Sequence, residues 1–196
     1  MSDLVYYERN LPHWLPPGST LFLTFRLAGT LPGEVLAQYQ AAWTQEDQII
    51  QREETSYARQ RRYFGRFDAL LAGTPGATCL QHAAIASLVQ ESLHYYAGKA
   101  YQLDCYCIMP NHVHVLVTLP DNAPALSRTL QSIKSFTAAK ANKLLNRVGP
   151  FWHRETYDHI CRDAAEVQRV INYILLNPVK AGLVAEWQHW PYTYLP

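Results

Sequence analysis

Apolar positions along the chain follow two periods, and the switches between them predict the order of elements. Thr20-Leu21-Phe22-Leu23-Thr24-Phe25-Arg26-Leu27 is rich in β-branched and aromatic residues and lies between Pro16-Pro17-Gly18 and Gly29, which predicts a strand. From Pro32 to about Tyr63 the chain turns polar and Gln/Glu-rich with scattered apolar residues, then meets the turn cluster Gly73-Thr74-Pro75-Gly76. This predicts a helical arm inserted at about 32–77. Between Cys79 and Ala97, Leu80, Ala83, Ala84, Leu88 and Leu93 fall near helical spacing, and Gly98 is a stop signal, so a core-facing helix is expected. Tyr101–Ile108 and His112–Leu119 read as strands joined by the hairpin-length Met109-Pro110-Asn111 and should pair antiparallel.

A long basic amphipathic helix is predicted from Pro124 to about Arg147, with Leu126, Leu130, Ile133, Phe136 and Leu144 on its apolar side and Gly149-Pro150 ending it. Phe151 to Cys161 reads as extended. Asp163-Ala164-Ala165-Glu166 resembles a capping box, and the stripe Val167, Val170, Ile171, Ile174, Leu175 predicts a last helix that stops at Asn177-Pro178. This order predicts an α+β fold: an antiparallel sheet of four to five strands with helices mainly on one face, a single domain over 1–196 carrying the helical insertion.

Composition narrows the class. The 196 residues are 48% hydrophobic with a formal net charge of +1, which excludes a disordered chain and a coiled coil. No apolar run approaches the roughly 20 residues that span a bilayer, and Met1-Ser2-Asp3-Leu4 is no secretory leader, so a cytoplasmic, nucleoid-associated protein with no membrane partner is expected. Cys79, Cys105, Cys107 and Cys161 show no CxxC pair and read as reduced thiols. Charge is uneven: residues 127–196 carry 9 basic and 5 acidic side chains against 8 and 11 before them, so an anionic partner should meet the C-terminal third. A second basic knot, Arg59-Gln60-Arg61-Arg62-Tyr63-Phe64-Gly65-Arg66, mixes guanidinium groups with rings, a combination that suits single-stranded nucleic acid.

Two constellations carry candidate chemistry. In Asn111-His112-Val113-His114-Val115-Leu116-Val117 the period of two puts both histidines on one face of a strand and the valines on the other. Two neutral imidazoles so placed can bind one divalent cation if an oxygen ligand comes from elsewhere; alternatively they pack as ordinary sheet residues. A zinc site shared with Cys105 and Cys107 is a further alternative. In the last helix Tyr173 and Asn177 lie four residues apart on one face, so a phenol and an amide project together. Arg128, Lys134, Lys140 and Lys143 of the long helix, with Arg154 and Arg162 near the last strand, are candidates for backbone phosphate contacts. Trp152 can stack a base or fill the core.

These stretches together resemble the REP-associated tyrosine transposases, relatives of the single-tyrosine HUH transposases of simple insertion sequences. The matching segments are residues 18–26, Ile108-Met109-Pro110-Asn111-His112-Val113-His114, Phe151-Trp152-His153-Arg154-Glu155-Thr156-Tyr157-Asp158, and 170–184 around Tyr173 and Asn177-Pro178. The resemblance implies a ferredoxin-like HUH nuclease domain in which His112, His114 and Asn177 hold Mg²⁺ or Mn²⁺ and Tyr173 is the nucleophile. Tyr157 is the competing nucleophile. The implied activity is cleavage and joining of single-stranded DNA beside REP-like hairpins through a 5′-phosphotyrosine, by a monomer or homodimer. Arg59, Arg61, Arg62, Arg128, Lys134, Lys140 and Arg154 are the DNA-contact candidates. Two other readings stand beside it: a hairpin-binding repressor or architectural factor that does not cleave, and a hydrolase of small phosphoesters.

Overall fold

The fold comes from a computed structural model, which describes residues 18–50, 56–73 and 76–196. The readings placed on Met1–Leu4 and on Pro16-Pro17, and part of the turn cluster at Thr74-Pro75, lie outside the described residues. Five strands and five α-helices are formed among the described residues: β1 (Thr20–Leu27), α1 (Gly33–Ile50), α2 (Ser56–Gly73), α3 (Ala83–Tyr96), β2 (Gln102–Ile108), β3 (His112–Thr118), α4 (Leu126–Leu144), β4 (Trp152–Cys161), α5 (Ala164–Lys180) and β5 (Thr193–Tyr194). The chain divides into two compact units, one built from 1–28 and 78–196 and the other from 29–77. The second unit is the helical arm. Within it a Cβ on Gly76 would fall 2.5 Å from the Thr30 carbonyl oxygen, so the arm's two ends pass each other where only glycine fits.

The first unit is a single sheet in the order β4-β1-β3-β2-β5, antiparallel throughout. The central strands β1 and β3 are buried along almost their whole length, so that even Thr24 and Arg26, polar residues of β1 on the histidine face, are buried. Registration assigns the faces. Phe25 pairs with Val113 and packs on Trp152, whose indole N–H donates to Thr137 Oγ1 of α4 at 2.9 Å. Tyr106, opposite Val115, is held by Gln90 and His94 of α3. The valine face of β3 therefore carries α3 and α4. Phe22, Thr24 and the two histidines point to the other face, where the Tyr173 ring of α5 meets Phe22. Two of this unit's three long helices share one face, as expected, and the third covers the candidate chemistry.

Three details differ from the sequence reading or add to it. The helix expected from Cys79 begins with a short 3₁₀ turn at Cys79–Gln81 before α3. The fifth strand, allowed for in the expected four to five but given no position, is β5, only two residues long; it pairs with Tyr106 and Cys107 at the β2 edge, and Tyr194 stacks on Tyr106 with ring centroids 5.3 Å apart. Most consequentially, α5 runs through Pro178 to Lys180 instead of stopping there. It ends at Gly182, whose φ of 68° accompanies bonds from Gly182 N–H to the Val179 carbonyl and from Leu183 N–H to the Pro178 carbonyl, the paired closure of a glycine-capped helix.

Candidate active site

The β2–β3 turn fixes the first part of the site. Met109 N–H bonds to the His112 carbonyl, and the turn is tied to its surroundings by Leu27 N–H donating to the Asn111 carbonyl at 2.8 Å and Leu80 N–H to the Pro110 carbonyl at 3.1 Å. Immediately after it, His112 and His114 project from the same side of β3, both fully buried. Their Nε2 atoms are 3.0 Å apart. His112 Nδ1 lies 2.6 Å from Asn111 Oδ1, and His114 Nδ1 lies 2.7 Å from Thr24 Oγ1 on β1, where Thr24 is the cross-strand partner of His114.

The second part comes from α5. Asp163 accepts a 2.7 Å bond from Glu166 N–H, while Glu166 reaches back to Arg162 N–H at 2.9 Å and to His159 Nε2 of β4 at 2.8 Å. The expected capping box is thus present, displaced by one residue on its return arm. Burial, and then the Arg162 charge, hold the His159 imidazole below its ordinary pKa, so it donates to Glu166 as a neutral ring. Anchored in this way to β4, α5 sets Tyr173 against the sheet: its ring is 5.6 Å from that of His114 and 5.9 Å from Phe22. Asn177 is buried one turn further on, and Lys180 places its ammonium 5.0 Å from the Tyr173 ring centroid. Tyr157, on β4 beside Thr24, also meets Phe22, with ring centroids 6.1 Å apart.

A divalent cation fits the histidine pair. Two nitrogen ligands at about 2.1 Å in adjacent positions of an octahedron stand about 3.0 Å apart, which is the separation of the two Nε2 atoms. Imidazole nitrogen and amide oxygen are ligands suited to such ions. The zinc alternative through cysteines is not formed: among the described residues no cluster of metal-ligating side chains includes Cys105 or Cys107. Burial pushes the Cys105 thiol up to about 12, and Cys107 contacts Met109 Sδ and Thr193 Oγ1 at 3.6 Å each. Both cysteines are core thiols.

The basic candidates separate. Arg128, Lys140 and Arg154 are exposed, and Lys140 stands 5.8 Å over the ring of Phe136, itself 51% exposed. Lys134 is different. Its ammonium donates to the carbonyls of Arg154 and Glu155 and to Thr156 Oγ1 at 3.0–3.3 Å, tying α4 to β4, and burial lowers its pKa to about 8. It is a strut rather than a phosphate hand. Arg62 is half-buried in α2, and the side chains of Arg59 and Arg61 lie outside the described residues. Trp152 fills the core, only 7% exposed. Sequence reasoning did not single out Thr24, Asn111 or Lys180. The cross-strand register places Thr24, adjacency places Asn111, and a seven-residue step from Tyr173 places Lys180, a spacing that was available from the helix period once α5 was known to continue.

Over 96 residues the chain is 31% identical to a Haemophilus influenzae protein provisionally assigned as a REP-associated tyrosine transposase, covering 44% of this chain and 54% of the relative. It is 27% identical over 96 residues to the REP-associated tyrosine transposase of Escherichia coli K12, covering 48% and 54%. The matched segment spans about half the length of each relative. A solved structure of a REP-associated tyrosine transposase bound to a REP hairpin shares the fold with a TM-score of 0.51 and 18% identity, over 94% of this chain and 81% of that one. The family model described as "Transposase IS200 like" matches residues 78–177, which include β2, β3, α4, β4, both histidines and Tyr173, and the chain therefore belongs to the IS200-like transposase family.

Proposed function

We propose that the protein nicks and rejoins single-stranded DNA next to a hairpin, with Tyr173 as nucleophile and a divalent cation, Mg²⁺ or Mn²⁺, held by His112, His114 and Asn177. The observation that carries this reading is the approach of the Tyr173 ring to within 5.6 Å of His114 across the α5–sheet interface. The relatives named as tyrosine transposases, and the related fold seen bound to a REP hairpin, support the same substrate class.

The chemistry follows from the residues. A cation held by His112, His114 and Asn177 would supply charge neutralisation at a phosphate oxygen as negative charge grows there. Tyr173 loses its phenolic proton and its oxygen attacks phosphorus in line; the bond to the 3′ oxygen breaks, that oxygen takes up a proton, and a 5′-phosphotyrosine remains. The ester conserves the phosphodiester linkage, so a 3′ hydroxyl can reverse the step on the same strand or another without a nucleotide cofactor. His112 and His114 are fully buried, which keeps bulk water from their ring nitrogens. Lys180 adds a positive charge beside the tyrosine. Tyr173 is preferred over Tyr157 because it shares a helix with Asn177 and touches the His114 ring.

A labelled single-stranded hairpin, incubated with protein and Mn²⁺, Mg²⁺ or chelator and run on a denaturing gel, tests this reading. A metal-dependent covalent adduct is expected, lost in Tyr173→Phe while native-gel binding persists. Adducts at wild-type level in that variant would move the nucleophile elsewhere, Tyr157 first. Binding without any adduct in any metal would favour a hairpin-binding factor.

A further inference from the structure

The last turn of α5 ends in a lysine that its own neighbourhood does not explain. Lys180 is exposed, and its ammonium stands 5.0 Å from the centroid of the half-buried Tyr173 ring. Among the described residues that ammonium forms no hydrogen bond or ion pair. A lysine at a helix end often bonds to the last carbonyls. Here the carbonyls of Asn177, Pro178 and Val179 are met by the N–H groups of Ala181, Leu183 and Gly182 at 2.9–3.0 Å. A lysine can also answer a carboxylate one turn back. The residues three and four positions before Lys180 are Asn177 and Leu176, and the next acidic residue along the chain is Glu186.

Helix geometry brings the two side chains together. A seven-residue step returns to within about 20° of the same direction, and helical side chains lean toward the N-terminus, so Lys180 reaches back over the turn that carries Asn177. The Tyr173 ring packs on Phe22 and His114 of the sheet, and the exposed ammonium borders it where a strand can arrive from solvent. We propose that Lys180 is a catalytic residue whose ammonium donates to a non-bridging oxygen of the phosphate that Tyr173 attacks. The assignment rests on Tyr173 as the nucleophile. Before reaction an attacked phosphorus stands about 3–3.5 Å from the attacking oxygen, so its non-bridging oxygens come within reach of a flexible side chain already beside the ring. The displacement gathers negative charge on those oxygens, and a charged N–H donor aimed at one of them gains strength as the charge grows. Lys180 itself forms and breaks no covalent bond. The same contact holds the phosphate of the 5′-phosphotyrosine for the returning 3′ hydroxyl.

The test uses the full chain in excess over a labelled single-stranded hairpin with Mn²⁺, so that each DNA is cut once. At saturating protein Lys180→Met should form the adduct roughly 10–100-fold more slowly, a smaller loss than that of a fully buried oxyanion donor because the ammonium is exposed. Its affinity for the hairpin should stay within about threefold of wild type, since one phosphate contact among several is lost. Lys180→Arg, which keeps the charge and the donors, should form the adduct within about fivefold of the wild-type rate. Sulfur placed at each non-bridging oxygen of the cut phosphate in turn gives a readout that a merely structural lysine would not move. For one diastereomer the slowing seen in wild type should shrink to within about twofold in Lys180→Met, because the contact that sulfur weakens is already gone. For the other diastereomer the slowing should be the same in both proteins. A wild-type rate in Lys180→Met, a loss that lies wholly in weaker binding, or equal sulfur effects in the two proteins for both diastereomers would overturn the assignment. If Lys180→Met does not fold, Lys180→Gln takes its place in the same measurements. A wild type that forms no adduct defeats the nicking reading and this assignment with it, whereas a wild-type adduct formed at undiminished speed by Lys180→Met defeats only the role of Lys180.

Discussion

At the scale of single residues, the sheet's outer strand shows how burial sets charge. His153, at the start of β4, has its pKa lowered to about 4, first by burial and then by the charges of Arg26 and Lys134. Its Nδ1 accepts the Glu155 N–H at 3.3 Å, a bond that only an unprotonated Nδ1 can make. The unfolded chain binds this proton near 6.5, so the unfolded state gains protons first as pH falls. The contribution of His153 is therefore fully present above about 6.5 and is lost progressively toward pH 4. His153→Gln, which stays neutral, should lose less stability than wild type between pH 7 and pH 4.5, measured as urea midpoints at the two values. Parallel losses in the two proteins would show that His153 does not carry this dependence. Lys134 illustrates the same physics from the other side. The sequence presents it as one of several cations on a basic helix, and only the three-dimensional path of β4 shows that carbonyls occupy its ammonium. Thr24 was equally hidden: nothing in Thr-Phe-Arg marks a hydroxyl as the partner of a histidine 90 residues away.

At the scale of elements, α5 is the part on which the site depends most, since it carries Tyr173, Asn177 and Lys180. Its start was legible because capping is local: an aspartate followed three residues later by a glutamate, ahead of an apolar stripe, can be read from spacing alone. Its end was not. A proline after asparagine reads as a stop, yet Pro178 sits in the last turn, and its ring is accommodated because the helix finishes within one further turn in a glycine closure at Gly182. β5 was unreadable for a different reason: two residues have no period, and their pairing depends on the exposed edge of β2 and the stacking of Tyr194 on Tyr106. The strands, the hairpin and the histidine face were legible because period two over seven buried residues leaves one arrangement. Removing the cap tests the anchoring of α5. Asp163→Ala should cost about 1 kcal/mol of stability by losing the bond to Glu166 N–H, read as a lower urea midpoint. Because the helix start is also tied to His159 through Glu166, Glu166→Ala should cost more than Asp163→Ala. An equal or smaller loss would mean that the β4 tie contributes nothing beyond the cap.

At the scale of the whole molecule, the net charge of +1 leaves little uniform field to draw in an anionic strand, so local clusters must supply the attraction. Among the described residues, α4 offers such a cluster: Arg128 and Lys140 are exposed on it, and an exposed Phe136 lies between them in sequence. It lies on the valine face, behind the sheet from the histidines and Tyr173. If hairpin DNA meets this helix, binding and cleavage use different faces, and variants of α4 should weaken binding without changing the rate of adduct formation at saturating DNA. The salt dependence reads the number of phosphates contacted, because each one neutralised releases condensed counterions and contributes about 0.7–0.9 to the slope of log K against log salt. The double variant Arg128→Ala, Lys140→Ala should therefore lower the slope for a labelled hairpin by about 1.4–1.8. Lys134→Met should leave it unchanged, because that ammonium is engaged with β4 carbonyls. A slope reduced as much by Lys134→Met as by either exposed residue would show that the strut opens to meet DNA. An unchanged slope in the double variant would remove α4 from the DNA path and leave the cations beside Tyr173, Lys180 first, to hold the strand.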